Sequence, residues 1–182
     1  MISNNSIKTV MNKKDLRDTY RNIICSEEIT SDIFSLISKL DIKSICIYHP
    51  FSNEIKIDNL IEYLHKNNIK IFYPYMKKED SAQIMQIREE GNIVFDDYHI
   101  KSSDGKIVDH KTIGAYLIPG IAFNDKGYRL GYGKGYYDKL LVNYKGIKIG
   151  ACENKLIIKN SFEEAHDIKM DYIVTEDKII KL

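Results

Sequence analysis

Residues 119–138 read PGIAFNDKGYRLGYGKGYYD and contain five of the ten glycines in the chain. Gly131, Gly133 and Gly135 alternate with larger residues, a spacing that weakens both helices and strands because each glycine loses much backbone entropy on ordering. Such a backbone can instead adopt positive φ angles and let a ligand approach its N–H groups. We therefore take this stretch as the centre around which the fold is organised.

Three charged side chains in the stretch predict its function. Arg129 and Lys134 supply two cations, and Asp138 supplies a carboxylate where a helix could begin. Backbone N–H groups and cations bind phosphate, and a nearby carboxylate suits a divalent metal. The pattern predicts a phosphate-binding loop with a metal beside it. A glycine-rich surface turn is the alternative, although it explains neither the cations nor the alternation.

Three common nucleotide-binding motifs do not match this loop. The Walker A pattern G-x-x-x-x-G-K-[ST] fails because Tyr128 stands at its first glycine and Gly135 follows Lys134. The dinucleotide pattern G-x-G-x-x-G fails because the third glycine comes too soon after the second. The His-Arg-Asp and Asp-Phe-Gly companions of a kinase loop do not occur. The residues alone therefore indicate a phosphate loop of another family.

Composition limits the class of protein. A length of 182 residues fits a single domain, which we place at residues 1–182. The 27 basic and 26 acidic residues nearly cancel, which argues against a nucleic-acid partner. The three cysteines form no CxxC pair, so a reducing compartment fits better than a zinc or disulfide framework. No apolar run approaches about 18 residues, so we expect no membrane partner and a cytoplasmic protein.

Short apolar strands that alternate with amphipathic helices predict an α/β fold. A strand, a helix and a strand within about 30 residues form a βαβ unit with parallel strands, and ligands bind beyond the carboxyl ends of such strands. The polar segment 89–110 predicts no definite elements. We expect a single domain with a mostly parallel sheet flanked by helices. Helices are predicted at 9–24, 57–67 and 136–143, and strands at 44–48, 69–73, 82–87, 115–118, 147–152, 172–175 and 178–182.

Further expectations concern helix faces and ends. Lys13, Arg17 and Arg21 lie four residues apart and form a basic ridge on one helix face, for which a solvated surface is the ordinary explanation. Ser26 is predicted to cap a second helix. Pro74 is predicted to end the strand that precedes it.

The glycine motif resembles a known family signature. The sequence RLGYGKGYYD at 129–138, preceded by PGIAF at 119–123, closely resembles the signature of the 5-formyltetrahydrofolate cyclo-ligase family. The resemblance extends over nearly the whole chain. Weaker motifs occur in the family's order: KKDLR at 13–17, YHPFSNE at 48–54, YP at 73–74, and HD at 166–167 followed by Asp171.

The resemblance implies an ATP-dependent enzyme. Members of the family use MgATP to convert 5-formyltetrahydrofolate into 5,10-methenyltetrahydrofolate, releasing ADP and phosphate after phosphorylation of the formyl oxygen. It implies Mg²⁺ as the cofactor, with 5-formyltetrahydrofolate and MgATP as the partners. It also implies a fold related to the sugar-phosphate isomerases and CoA transferases. We expect a monomer.

Specific roles follow from the resemblance. It implies catalytic roles for Lys134 and Arg129, and it implies Asp138 and Asp167 as metal ligands. The implied ATP-binding residues are Lys13, Arg17, Arg129, Leu130, Gly131, Tyr132, Gly133, Lys134, Gly135, Tyr136 and Tyr137. The implied folate-binding residues are His49, Glu54, Tyr132, Gly133, Lys134, Gly135 and Tyr136.

The sequence departs from the family's pattern at three notable positions. Asn124 stands where Asp is common, Cys152 where an aromatic residue is usual, and Lys155 where Gln is frequent. Two other functions stay open. A phosphate-binding enzyme of the isomerase or CoA-transferase kind would act without ATP. A non-catalytic nucleotide- or folate-binding protein would bind MgATP without turnover.

Overall fold

The computed structural model describes residues 12–51, 53–79, 82–159 and 161–182. Within them, helices and a mostly parallel central sheet confirm the predicted α/β class. The helices are α1 (Lys13–Tyr20), α2 (Asp32–Lys39), α3 (Asp58–Lys66) and α4 (Tyr136–Leu141). The strands are β1 (Ser44–Cys46), β2 (Lys70–Glu79), β3 (Ala82–Glu89), β4 (Ile93–Phe95), β5 (Lys101–Ser103), β6 (Ile107–Val108), β7 (Ala115–Pro119), β8 (Ala122–Asn124), β9 (Arg129–Leu130), β10 (Ile147–Ala151), β11 (Ile157–Ile158), β12 (Tyr172–Val174) and β13 (Ile179–Lys181).

In these residues the central sheet has eight strands in the order β13-β12-β10-β7-β1-β2-β3-β6. The five strands from β12 to β2 are parallel to one another, and the antiparallel strands lie at the two edges. β1, α3 and β2 form the predicted βαβ unit. Two smaller sheets, β11-β8-β9 and β4-β5, accompany the central one.

The central sheet is buried on both faces, which is usual for parallel sheets. Alternate residues of β7 show this, since Ala115 and Leu117 belong to one hydrophobic core while Tyr116 and Ile118 belong to the other. The core that contains Ala115 is covered by α2 and α3, and the other includes residues of α1 and α4. No helix in the described ranges is both long and apolar enough to cross a membrane.

The predicted N-terminal helices differ from the observed ones. The first was predicted at 9–24, of which residues 9–11 lie outside the described residues. Ser26 is not a helix cap, because α2 begins later and the Ser26 backbone N–H donates to Glu153 Oε1 at 2.6 Å. The backbone after Ser26 instead forms hydrogen bonds with distant parts of the chain. For example, the Ile29 N–H donates to the Lys56 carbonyl at 2.9 Å.

Pro74 does not end its strand, because β2 continues to Glu79 and pairs with β3 along this length. The last residue of β2 that pairs with β1 is Phe72. Beyond it, that side of β2 has become an edge, where a residue without an N–H is tolerated. The extended β2–β3 pair supplies one wall of the cavity described below.

A single added methyl group is expected to disturb the sheet at Gly150, which lies within β10 between β7 and β12. A Cβ there would lie 2.5 Å from the buried Phe123 ring. Gly150→Ala should lower the free energy of unfolding by about 1–3 kcal/mol, the usual cost of overpacking. Urea denaturation measures this loss, and it should shrink in a Phe123→Leu background. Equal losses in both backgrounds would rule out the ring as the cause.

Candidate active site

A cavity of about 650 Å³ lies where the parallel strands end. Tyr48 and His49, which follow β1, and Pro119, the last residue of β7, form part of its wall. Met76 on the extended β2 and Lys134 of the glycine loop form other parts of the wall. The cavity therefore occupies the position at which α/β sheets bind ligands.

The glycine loop between β9 and α4 packs against two guanidinium groups. A Cβ on Gly131 would lie 2.6 Å from Arg129 Nη1, and one on Gly133 would lie 3.4 Å from Arg17 Cζ. Gly133 and Gly135 have φ angles of 91° and 65°, which side chains rarely adopt. The alternation thus has two causes: Gly131 admits a guanidinium group, and the other two glycines allow a left-handed backbone.

Arg129 and Lys134, the two predicted catalytic cations, have different surroundings. The Arg129 side chain is only 9% exposed, with Nη2 3.6 Å from Asp138 Oδ2 and its guanidinium 5.0 Å from the centre of the Tyr137 ring. Lys134 is exposed and lines the cavity. It belongs to none of the ion pairs among the described residues. Of these two cations, Lys134 is therefore the one that is available to an anionic ligand.

Two residues of the basic ridge, Lys13 and Arg17, contact other parts of the protein, so the interpretation of the ridge as a solvated surface is wrong for them. Lys13 Nζ lies 2.6 Å from Asp167 Oδ2, and Arg17 Nε donates to the Gly131 carbonyl at 2.8 Å. Arg21 lines the cavity. These contacts bring Lys13 and Arg17, two of the predicted ATP-binding residues, to the glycine loop and the C-terminal acidic segment.

The remaining residues of the glycine loop divide between core and cavity. Leu130 is buried in the core, so its side chain anchors the start of the loop by hydrophobic packing. Tyr132, Gly135, Tyr136 and Tyr137 line the cavity. Two tyrosine hydroxyls connect the loop to other walls, because Tyr132 accepts from the Asn53 side-chain amide at 2.5 Å and Tyr136 contacts Gln83.

Glu54 and His49, the predicted folate-binding pair outside the loop, both lie in the cavity wall. Glu54 is 7% exposed and accepts the Phe51 backbone N–H at 3.0 Å. Burial raises the pKa of the Glu54 carboxyl to about 7, against the opposing effects of the Phe51 bond and the Arg129 charge. His49 stacks on Tyr73 with 4.3 Å between ring centres, and burial lowers the pKa of its imidazole.

The predicted metal ligands Asp138 and Asp167 each lie beside a cation, Arg129 and Lys13 respectively. The described residues contain no group of three or more His, Cys, Asp or Glu side chains that could hold an ion. Mg²⁺ commonly uses one or two carboxylates and completes its shell with waters and substrate phosphates. These two residues therefore fit an ion that arrives with a nucleotide rather than one held by the protein alone.

The sequence interpretation missed the wall made by the β2–β3 pair and the β4–β5 turn. Met85, Tyr98 and Lys101 line the cavity there. Asp96 holds this turn, because its buried carboxylate accepts the backbone N–H groups of Met76, Tyr98 and Ile100 at 2.9–3.0 Å. An aspartate that binds the backbone two residues further on is a known turn signal, and here it was the one available clue.

Comparison with known proteins places these features in a family. A sequence profile of the 5-formyltetrahydrofolate cyclo-ligase family matches residues 6–176. The chain belongs to this family. It is therefore an enzyme of the cyclo-ligase class, and the resemblance read from the glycine motif is confirmed.

Relatives in this family match nearly the full length of the chain. The 5-formyltetrahydrofolate cyclo-ligase of Mycoplasma pneumoniae is 26% identical over 178 residues, covering 93% of this chain and 96% of its own. A probable 5-formyltetrahydrofolate cyclo-ligase of Schizosaccharomyces pombe is 26% identical over 201 residues, with 99% and 98% covered.

Solved structures agree with the fold. The 5,10-methenyltetrahydrofolate synthetase of Aquifex aeolicus superimposes with a TM-score of 0.69 at 24% identity, covering 94% of this chain and 84% of that one. The synthetase of Mycoplasma pneumoniae gives a TM-score of 0.64 at 25% identity, with 91% and 99% covered. Their fold is the α/β architecture described above.

The three departures from the family's pattern lie outside the cavity wall. Cys152 is buried in the core. Lys155 donates to the Ile24 carbonyl at 3.0 Å and pairs with Glu153 at 2.5 Å. Asn124 donates to Glu163 Oε2 at 2.8 Å. These residues therefore support the structure around the site.

The buried carboxyl of Glu54 is expected to make the folded state less stable at high pH. Its pKa rises from an ordinary 4.5 to about 7 in the folded state. The loss of folding free energy caused by ionising the buried carboxyl is therefore absent below pH 4.5 and complete above about pH 7. Glu54→Gln should therefore stabilise the fold by up to about 3 kcal/mol at pH 8 and very little at pH 4.5. Urea denaturation at the two pH values measures the difference. A gain that is the same at both would show that Glu54 does not titrate in this range.

Proposed function

We propose that this enzyme converts 5-formyltetrahydrofolate into 5,10-methenyltetrahydrofolate while ATP becomes ADP and phosphate. One observation carries the proposal: a single cavity is lined both by Lys134 of the glycine loop, a cation that forms no ion pair with any described residue, and by Glu54, a buried carboxyl. The first suits a transferred phosphoryl group, and the second suits the N–H groups of a pterin ring. Membership of the cyclo-ligase family supports both assignments.

The reaction needs activation of an amide oxygen, which is a poor leaving group. The formyl oxygen attacks the γ-phosphorus of ATP, and ADP leaves. N10 of the folate then attacks the activated formyl carbon and loses its proton to solvent, the carbon–oxygen bond breaks, and phosphate departs as the ring closes. The protein contributes mainly by holding the two substrates in line and neutralising charge on the phosphoryl group.

The cations around the glycine loop have different roles in this proposal. The Lys134 side chain can move with the transferred phosphoryl group, because no described carboxylate holds it in an ion pair. Arg129 is fixed by Asp138 and the Pro119 carbonyl, so it supplies a stationary positive charge. From α1, Arg17 reaches the glycine loop and Lys13 reaches Asp167, and in this proposal both bind the nucleotide phosphates. Such preorganised charge stabilises a transition state without reorganising during the reaction.

The folate ring lies against Glu54 and His49 in this proposal. Glu54 ionises near neutral pH, so above pH 7 it offers a carboxylate acceptor to ring N–H groups. Tyr132 and Tyr136 border the same cavity from the glycine loop. The loop is thereby shared between the two substrates.

Asp138 and Asp167 would hold a Mg²⁺ ion that accompanies ATP in this proposal. The ion would supply positive charge that stabilises the phosphate groups. Lys13 and Arg129 hold these two carboxylates in place. We also propose that the enzyme works as a monomer in the cytoplasm, a compartment that suits its three buried free thiols.

An absorbance assay tests the proposed reaction. Protein mixed with 5-formyltetrahydrofolate and MgATP should produce the absorbance band of the methenyl product, and omitting either substrate should abolish it. Product without ATP would favour an enzyme of the isomerase or CoA-transferase kind. Binding of both substrates with no product would favour a non-catalytic binding protein.

Removal of the loop cation should reduce turnover. Lys134→Ala is expected to lower kcat at least about 100-fold at saturating ATP, the scale of losing one preorganised charge stabiliser. Lys139→Ala removes an exposed lysine of α4 that does not line the cavity and should leave kcat within about twofold, as expected of a solvent-screened surface charge. Near-normal turnover of Lys134→Ala would exclude its role.

A further inference from the structure

The side chain of Asn53 joins three separate parts of the chain. Its amide nitrogen Nδ2 donates to the Tyr132 hydroxyl at 2.5 Å and to the Arg21 carbonyl at 3.3 Å. Tyr132 belongs to the glycine loop, and Arg21 caps the C-terminal end of α1. Asn53 itself directly precedes Glu54, the proposed folate ligand, and lines the cavity. One amide group therefore connects the folate side of the site with two elements on its nucleotide side.

The hydroxyl end of Tyr132 depends on this bond for its position. Tyr132 is 47% exposed and lies between Gly131 and Gly133, and Gly133 has a φ of 91°. Glycine has the widest choice of backbone conformations, so the two neighbours restrain the tyrosine little. Among the described residues, the hydrogen bond with Asn53 is the only one that the Tyr132 side chain makes. The Asn53 amide is thus the polar contact that holds this part of the glycine loop against the cavity.

The bond to Arg21 holds the end of α1. Carbonyl groups in the last turn of a helix have no partner within the helix, so an outside donor stabilises them. Asn53 supplies such a donor to the Arg21 carbonyl. α1 is also bonded to the glycine loop directly, because Arg17 Nε donates to the Gly131 carbonyl at 2.8 Å. The helix, the loop and Asn53 therefore form a closed set of contacts, and a displacement of Asn53 would disturb both elements.

The position of Asn53 depends in turn on Glu54. Glu54 Oε2 accepts the Phe51 backbone N–H at 3.0 Å, and the Glu54 N–H donates to the Phe51 carbonyl at 2.9 Å. The Glu54 carboxylate is thereby bonded to the backbone of its own segment. Because Asn53 is its neighbour in the chain, a ligand that restrains the Glu54 carboxylate also restrains the backbone from which the Asn53 amide extends.

We propose that Asn53 is a positioning residue that couples the two halves of the site, so that folate and nucleotide each strengthen the binding of the other. The inference rests on the proposed function, since it takes 5-formyltetrahydrofolate as the ligand of Glu54 and ATP as the ligand of the glycine loop. Folate bound at Glu54 fixes Asn53, and Asn53 then fixes Tyr132 and the end of α1. The nucleotide meets elements that are already ordered, so its binding loses less conformational entropy. Such coupling is reciprocal, so the nucleotide strengthens folate binding by the same factor.

Binding of AMP-PNP, an ATP analogue that resists hydrolysis, tests the coupling without turnover. Calorimetry gives the Kd of its magnesium complex for the wild-type protein with and without saturating 5-formyltetrahydrofolate. The folate should lower this Kd at least about fivefold, the lower end of typical coupling between sites. In Asn53→Leu, a substitution of similar size that removes the amide donor, the folate should change the Kd less than about twofold. A loss of stability alone would lower the melting temperature and leave the ratio of the two Kd values unchanged.

Tyr132→Phe removes the acceptor of the same bond and provides a second test. It should also reduce the coupling, and adding it to Asn53→Leu should cause no further loss, because both changes break one contact. Asn67→Leu is the matched control. Asn67 Nδ2 donates to the Tyr63 carbonyl at 2.8 Å at the C-terminal end of α3, and Asn67 does not line the cavity. This variant should keep the coupling of the wild-type protein.

Equal Kd values of the analogue with and without folate in the wild-type protein would overturn the proposal. So would full coupling in Asn53→Leu together with weaker binding of folate alone, because Asn53 would then be a direct ligand of the folate rather than a positioning residue. Product formation by the wild-type protein is read separately in the absorbance assay, so failure of the proposed reaction is distinguished from failure of the coupling.

Discussion

The packing of Arg129 and Arg17 against the glycine loop is the contact on which the site depends. A side chain at Gly131 would occupy the space of the Arg129 guanidinium. Arg17 belongs to α1 and bonds to the backbone of the same loop, so the position of the loop also fixes the N-terminal helix. Two cations are thereby held beside a backbone of unusual conformation before any ligand arrives. In the proposed reaction, a phosphate would meet charge that is already in place, which lowers the free-energy cost of organising the site.

The spacing of glycines and apolar residues predicted those elements that depend on residues close together in the sequence. The alternating glycines predicted the loop, and the apolar segments around α3 predicted the βαβ unit. The same reasoning failed for the face of α1, because Lys13 and Arg17 meet Asp167 and Gly131, which are far away in the sequence. It failed also between β3 and β7, where β4, β5 and β6 have only two or three residues and show no readable period.

Two further features could be recognised only from the three-dimensional structure. The sequence YHPFSNE marked Glu54 as a ligand-binding residue, but nothing in it showed a carboxyl buried deeply enough to titrate near neutral pH. The burial that raises this pKa also disfavours the ionised form, so the ionised carboxylate that we propose as a folate ligand lowers the stability of the fold. Asn124 is comparable, since its amide donates to Glu163, and the aspartate common at this position in the family would place two carboxylates together.

The pair between Lys13 and Asp167 joins residues that are 154 positions apart. The proposed nucleotide-binding and metal-binding residues therefore come from two remote parts of the chain, with most of the fold lying between them in sequence. During synthesis on the ribosome, this contact cannot form until the segment around residue 167 has emerged. The strands β1, β2, β7 and β10 of the central sheet precede residue 167 and can pair before that point, so this contact is completed late, on a scaffold that has already formed in part.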